Sequence, residues 1–166
     1  MRTSSSTTRN TPKNMPKSAE GVDAIALLTE DHENVAQMFE QYEALGDRAH
    51  ASKKKIATQI CTELTKHAIA EEEIFYPAVR ADGKDKEDLI DEATVEHGSA
   101  KELIAQILDM EPTEDLYDAK VKVLGELIEH HVKEEEEEMF PKAREAGLDM
   151  GLLGAQIAER KAQITA

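Results

Sequence analysis

The chain has 166 residues, enough for one domain around a single hydrophobic core, with 40% hydrophobic and 33% charged residues, the balance of a globular protein. It holds no Trp, three Tyr and three Phe, so its core must be built from aliphatic side chains, which suits packed helices better than sheets. A net charge of −15 repels phosphate backbones and argues against nucleic acid as a partner.

The one cysteine, Cys61, excludes an internal disulfide and a multi-cysteine zinc site. No apolar run approaches the ~20 residues of a membrane span, and no apolar leader is present at the N-terminus. These features predict a cytoplasmic protein without membrane contact.

Residues 1–20 carry Arg2, Arg9, Lys13 and Lys17, are rich in Ser, Thr and Pro, and show no apolar periodicity. They read as a disordered basic tail ahead of one domain over 21–166. From residue 22 the pattern is helical throughout. The first predicted helix, 22–45, aligns Ile25, Leu28, His32, Val35, Phe39 and Tyr42 on one face. The second, 52–76, has Ser52 as its cap, aligns Ile56, Ile60, Leu64, His67, Glu71 and Phe75, and ends at Pro77.

The third, 86–110, aligns Leu89, Ala93, His97, Ala100, Ile104 and Ile107 or Leu108. The fourth, 114–140, has Thr113 as its cap and aligns Tyr117, Val121, Leu124, Ile128, His131, Glu135 and Met139. A shorter helix is predicted over 149–163. Four long amphipathic helices with short connections predict an all-α fold, an antiparallel up-down-up-down four-helix bundle with a short fifth C-terminal helix.

Four of the six histidines, His32, His67, His97 and His131, fall on the apolar faces, one per long helix. A single inward histidine is ordinarily a hydrogen-bonded core residue. Here His67 and His131 each carry a glutamate four residues on, Glu71 and Glu135, which puts both side chains on the same helix face, about 5–6 Å apart at Cβ. Four imidazoles and two carboxylates then point into one interior. Left unpaired, each would cost on the order of 1–3 kcal/mol, and an ionised carboxylate more. Metal ions are the partners such a set lacks.

The chain also repeats itself. The seventeen residues from His67 to Gly83 match those from His131 to Gly147 at an offset of 64, with seven identities. Asp31-His32 and Glu96-His97 are related by an offset of 65. Two equivalent hairpins, each supplying His and His-x-x-x-Glu, describe a two-metal site bridged by the carboxylates. Of the remaining histidines, His50 is predicted in a loop. His130 is turned about 100° from His131 and faces away. Within the run Glu134–Glu138 only Glu135 has the inward phase, with Glu136 as the alternative, and the rest read as a solvated acidic face.

Asp31-His32, His67-x-x-x-Glu71, Glu96-His97 and His131-x-x-x-Glu135, with Phe75-Tyr76-Pro77 and Phe140-Pro141 closing the helices, together resemble the hemerythrin-like HHE cation-binding domains. The resemblance covers about residues 22–160. It implies a bundle holding a non-haem di-iron centre: two iron ions with a bridging oxo or hydroxo. His32, His67, His97 and His131 would be terminal ligands, and Glu71 and Glu135 bridges. The family's oxygen carriers have a fifth histidine one turn after the third-helix ligand, where this chain has Lys101. The missing ligand leaves both irons open, which suits redox chemistry with peroxide or nitric oxide, or iron handling, better than clean oxygen storage.

The function expected is binding or sensing of oxygen, nitric oxide or iron. The alternative is a peroxidase- or oxidase-like enzyme, or an iron-delivery or repair factor. No acid–base residue outside the ligand set stands out as catalytic.

Overall fold

The structure, a computed structural model, describes residues 22–164, so the tail expected over 1–20 lies outside the described residues. Helix α1 (Ala24–Glu43) opens under Asp23, whose carboxylate accepts the Ala26 N–H at 3.1 Å. Helix α2 (His50–Ala70) begins before Ser52. A backbone bond from Ala49 N–H to Gly46 O, at 3.0 Å, closes the turn ahead of it, so no hydroxyl cap is used and His50 stands on the helix rather than in a loop.

Pro77 does not end the second rod. Proline lacks an N–H and clashes with the carbonyl four residues back. The chain answers with a π segment, Glu71–Phe75, in which the Tyr76 N–H donates to the Glu71 carbonyl, and then continues as α3 (Tyr76–Ala81) with Pro77 in its first turn. The second half repeats the device: π segment Glu135–Met139, the Phe140 N–H donating to the Glu135 carbonyl, then α6 (Phe140–Glu145) with Pro141 in its first turn.

A 3₁₀ turn, Lys84–Lys86, leads into α4 (Glu87–Leu108). Helix α5 (Tyr117–Glu134) starts later than a Thr113 cap predicts, because Leu116 has a φ of 73°, a left-handed conformation that no α-helix contains. Helix α7 (Met150–Gln163) is capped by Asp149, which accepts the Leu152 N–H at 3.0 Å.

Helix α1 packs on α2, α2 on α4, α4 on α5 and α5 on α1, which closes a four-helix ring, and α7 lies across α1 and α2. The buried residues show the antiparallel run. One apolar cluster holds Ile25 and Leu28 from the start of α1, Phe75 and Tyr76 from the end of the second rod, Ile90 and Ala93 from the start of α4, and Met139 and Phe140 from the end of the fourth. A second cluster holds Val35 and Tyr42, Ile60 and Leu64, Ile104 and Ile107, and Val121 and Leu124. Between them lies a buried polar layer: His32, His67, Glu71, His97, His131 and Glu135. Ile107 is buried while Leu108 is exposed, which decides the face of α4.

At the far end of the second cluster Lys53 is buried, with its ammonium 3.1 Å from Asp118, which also accepts the Tyr42 hydroxyl at 2.5 Å. Among the described residues there is no strand, and no helix is long and apolar enough to cross a membrane.

Gly154 is where α7 meets the start of α1. A Cβ there would stand 1.8 Å from the Val22 carbonyl oxygen and 3.1 Å from the Ala24 nitrogen, both rigid backbone. Gly154→Ala is therefore expected to lift α7 and cost about 1–3 kcal/mol. The thermal midpoint should fall by several degrees, measured by the loss of helical circular dichroism.

Candidate metal centre

Each long rod contributes one imidazole to the polar layer, and the second and fourth add a glutamate at the first residue of their π segments. The π turn widens the helix where Glu71 and Glu135 leave it. It also advances the buried face by a residue, so that Phe75, Tyr76 and Val79 follow Glu71 inward, as Met139, Phe140 and Ala143 follow Glu135.

The ring nitrogens converge in two pairs. His32 Nε2 lies 3.1 Å from His67 Nε2, and His97 Nε2 lies 3.2 Å from His131 Nε2. The carboxylates stand between the pairs. Glu71 Oε1 is 2.9 Å from His67 Nε2 and 3.4 Å from His97 Nε2. Glu135 places Oε1 3.2 Å from His32 Nε2 and Oε2 3.3 Å from His131 Nε2. Glu71 and Glu135 thus each stand close to both pairs.

Close approach is not hydrogen bonding here. Both oxygens of Glu71, and Oε1 of Glu135, are buried without a well-directed donor. Desolvated carboxylates in that condition require positive charge between them. Protons on the imidazoles supply some of it. Burial lowers the pKa of His67 and of His131, but the facing carboxylates outweigh it and push His67 up to about 10 and His131 to about 9. In turn Glu71 is held well below the usual carboxylate range: burial raises it, and the His67 charge more than reverses this.

A metal ion would answer the same demand. His32, His67, Glu71 and Glu135 offer ligand atoms within 4.8 Å of one another, and so do Glu71, His97 and His131. Two adjacent sites of imidazole and carboxylate suit a divalent transition metal rather than calcium or magnesium.

A second ring of acids orients the imidazoles from behind. His67 Nδ1 meets Asp31 at 2.9 Å, His131 Nδ1 meets Glu96 at 3.3 Å and His32 Nδ1 meets Glu136 at 3.2 Å, while His97 Nδ1 faces Glu72 at 3.6 Å. An acid at this position fixes the ring orientation and leaves Nε2 free for a metal. Asp31 is tied in turn to Lys161 of α7, at 2.5 Å.

A family model, the hemerythrin HHE cation-binding domain, matches residues 23–143. The chain belongs to the hemerythrin HHE cation-binding family. A crystal structure of an HHE cation-binding domain-containing protein of Mycobacterium kansasii superposes with a TM-score of 0.72, covering 86% of each chain at 23% identity, and shows the same fold. A protein of Nostoc sp. described as a DNA nickase is 32% identical over 121 residues. That match takes in 71% of this chain, which spans only about 32% of the nickase's length.

Against the family pattern, all six residues singled out by helical phase meet in the layer. Lys101, at the place of the oxygen carriers' fifth histidine, borders the cavity over the imidazoles, but its ammonium turns outward to Glu72, at 2.6 and 2.8 Å. It acts on the carboxylate behind His97, not on the interior. His130 is exposed and pairs with Glu134 at 3.1 Å. Glu136 is not an inward alternative to Glu135, since it holds His32 from outside. Cys61 is buried, and burial pushes its thiol up to about 11, so it stays protonated.

Sequence reasoning missed two things. Helical phase leaves Glu136 only as an alternative to Glu135 and gives Glu72 no part, although both recur at the offset of the repeat and so carry a signal. Tyr76 was read only as part of a helix-ending motif. Its buried hydroxyl donates to Glu135 Oε2 at 2.7 Å and lies 3.3 Å from His97 Nε2. Burial, reinforced by the charges of Glu71 and Glu135, raises its pKa far above the usual phenol range, so it remains a donor.

The arrangement makes a sharp distinction between neighbouring histidines. His131→Ala is expected to lose at least half of the bound metal, and His130→Ala and Lys101→Ala none. Elemental analysis of the purified variants measures it, and equal losses in the two histidine variants would contradict the helical phase of α5.

Proposed function

We propose that this chain is a non-haem di-iron protein that binds a small diatomic ligand, oxygen or nitric oxide, beside the metals. His32 and His67 would hold one iron, and His97 and His131 the other. Glu71 and Glu135 would bridge them, with an oxo or hydroxo group completing the bridge. The irons supply open coordination positions and reversible one-electron chemistry.

The observation that carries the reading is a cavity of about 30 Å³ directly over the four imidazoles, with Val35, Leu64, Ala100 and Ile104 among its almost wholly apolar walls. A water-sized sphere needs about 10–15 Å³. The cavity therefore admits a diatomic and excludes an organic substrate. Little of its exposed wall is polar, which favours uncharged, weakly polar gases over water. The acids behind His32, His67 and His131 hold those three imidazoles in place while such a ligand enters.

A second reading, peroxide consumption, draws on Tyr76, a protonated hydroxyl in contact with two of the proposed ligands. The nickase activity of the Nostoc protein does not carry over to this reading. The match leaves about two thirds of that protein unaccounted for, and the net charge of −15 opposes a DNA backbone. The same composition keeps the cytoplasm as the proposed setting.

Iron-loaded protein is expected to bind two irons per chain, the number the paired ligand sets provide. Once reduced, it should bind nitric oxide rapidly in stopped-flow absorption. Ala100→Val narrows the cavity and replaces none of the proposed ligands. It should slow nitric oxide association by about tenfold, a barrier increase of about 1.4 kcal/mol, with iron content unchanged. Unchanged association in that variant would remove the cavity from the ligand path. Steady-state turnover of peroxide by the unmodified protein would favour the enzymatic reading instead.

A further inference from the structure

The two halves of the centre come from one sequence repeat, so they can be compared atom by atom. His32 corresponds to His97, His67 to His131, Glu71 to Glu135, Glu72 to Glu136 and Asp31 to Glu96. The residue that follows each π segment also corresponds, and it differs: Tyr76 in the first half, Phe140 in the second. Both rings lie against a histidine of the layer. Phe140 stacks on His32 with centroids 6.0 Å apart and planes within 1°, and Tyr76 lies on His97 at 5.4 Å and 31°. The aromatic supports are therefore near equivalents, and the hydroxyl is the added chemistry.

That hydroxyl acts on one side only. It donates to Glu135 Oε2 at 2.7 Å, the oxygen that faces His131, and stands 3.3 Å from His97 Nε2. Glu135 Oε1, which faces His32, has no hydrogen-bond donor, and neither oxygen of Glu71 has one. Of the four carboxylate oxygens in the layer, one is thus hydrogen-bonded, and it belongs to the His97/His131 side. A carboxylate oxygen that already accepts a hydrogen bond shares its charge with the donor and gives less of it to a cation on its other side.

We propose that Tyr76 makes the two metal positions inequivalent: it restrains Glu135 Oε2, so that the position between His32 and His67 binds metal more tightly and the position between His97 and His131 more weakly. This rests on the two-metal reading above. Tyr76 acts through Glu135 and is a positioning residue. The consequence is an ordered centre, with one position filled first and the other exchanging more readily.

The test is an anaerobic calorimetric titration of the full chain with iron(II), with Mössbauer spectra of the iron-loaded protein. The unmodified protein should bind two irons in resolved steps and show two distinct iron environments. Tyr76→Phe keeps the ring and removes the hydroxyl. It should reduce the ratio of the two stepwise constants by on the order of tenfold, the effect expected of one hydrogen bond to a charged group, and bring the two iron environments together.

Phe140→Tyr supplies the missing hydroxyl to the opposite side. It should also reduce the ratio, and it keeps the test available if Tyr76→Phe fails to fold. Fewer than two irons at saturation in the unmodified protein would overturn the two-metal reading itself. Two irons with equal constants in the unmodified protein, or a ratio that neither variant changes, would leave that reading standing and overturn the role of Tyr76.

Discussion

Two carboxylates buried in the middle of an apolar bundle set the terms for the rest of this protein. Glu71 and Glu135 are essentially without solvent contact, and a charged group in that position is tolerated only where compensating charge stands close by. The four inward histidines meet that need from four different rods. No single helix can satisfy it, and the layer exists only when all four rods are in register. The apolar clusters on either side shield it from water, and they supply the burial energy that a polar layer withholds.

The backbone is adapted to the same constraint. A regular α-helix through Glu71 and Pro77 would lose one hydrogen bond to the proline and strain the carbonyl facing it. The π segments remove this conflict in both halves and change the inward phase where the glutamates project. The carboxylates therefore leave widened turns, and Phe75 with Tyr76, or Met139 with Phe140, close the core directly below them. Proline and glutamate belong to one local device, repeated in the second half of the chain.

Around the layer, charge alternates outward. Imidazole nitrogens face the carboxylates on the inside, acids hold the imidazoles from outside, and Lys161 and Lys101 hold two of those acids, Asp31 and Glu72, in turn. The C-terminal helix enters this order through Lys161, so the fifth helix is part of the support of His67 as well as of the fold. The arrangement leaves the Nε2 atoms directed at one another beneath a small apolar cavity. That combination gathers groups that could hold a metal ion at a small, enclosed space.

The helical period by itself determined most of this. Spacings of three and four residues placed His32, His67, His97 and His131 on apolar faces, the i,i+4 relation added Glu71 and Glu135, and the offset of 64 paired the halves. Each of these is a local property of one helix, which is why a one-dimensional pattern contains it.

What lay beyond the sequence depends on distances between rods or on backbone departures from the α-helix. Pro77 looked like a stop, because a run of side chains does not reveal that a π turn can carry the helix past it. The pairing of Asp31 with His67, rather than with its neighbour His32, is settled by the approach of α1 to α2. The outward turn of Lys101 is settled by Glu72 reaching it from another rod. Tyr76 and Phe140 are interchangeable aromatic residues to any periodicity argument. Only the packed bundle, by bringing one hydroxyl against Glu135, separates them, because a hydrogen bond is decided by tenths of an ångström that helical phase does not encode.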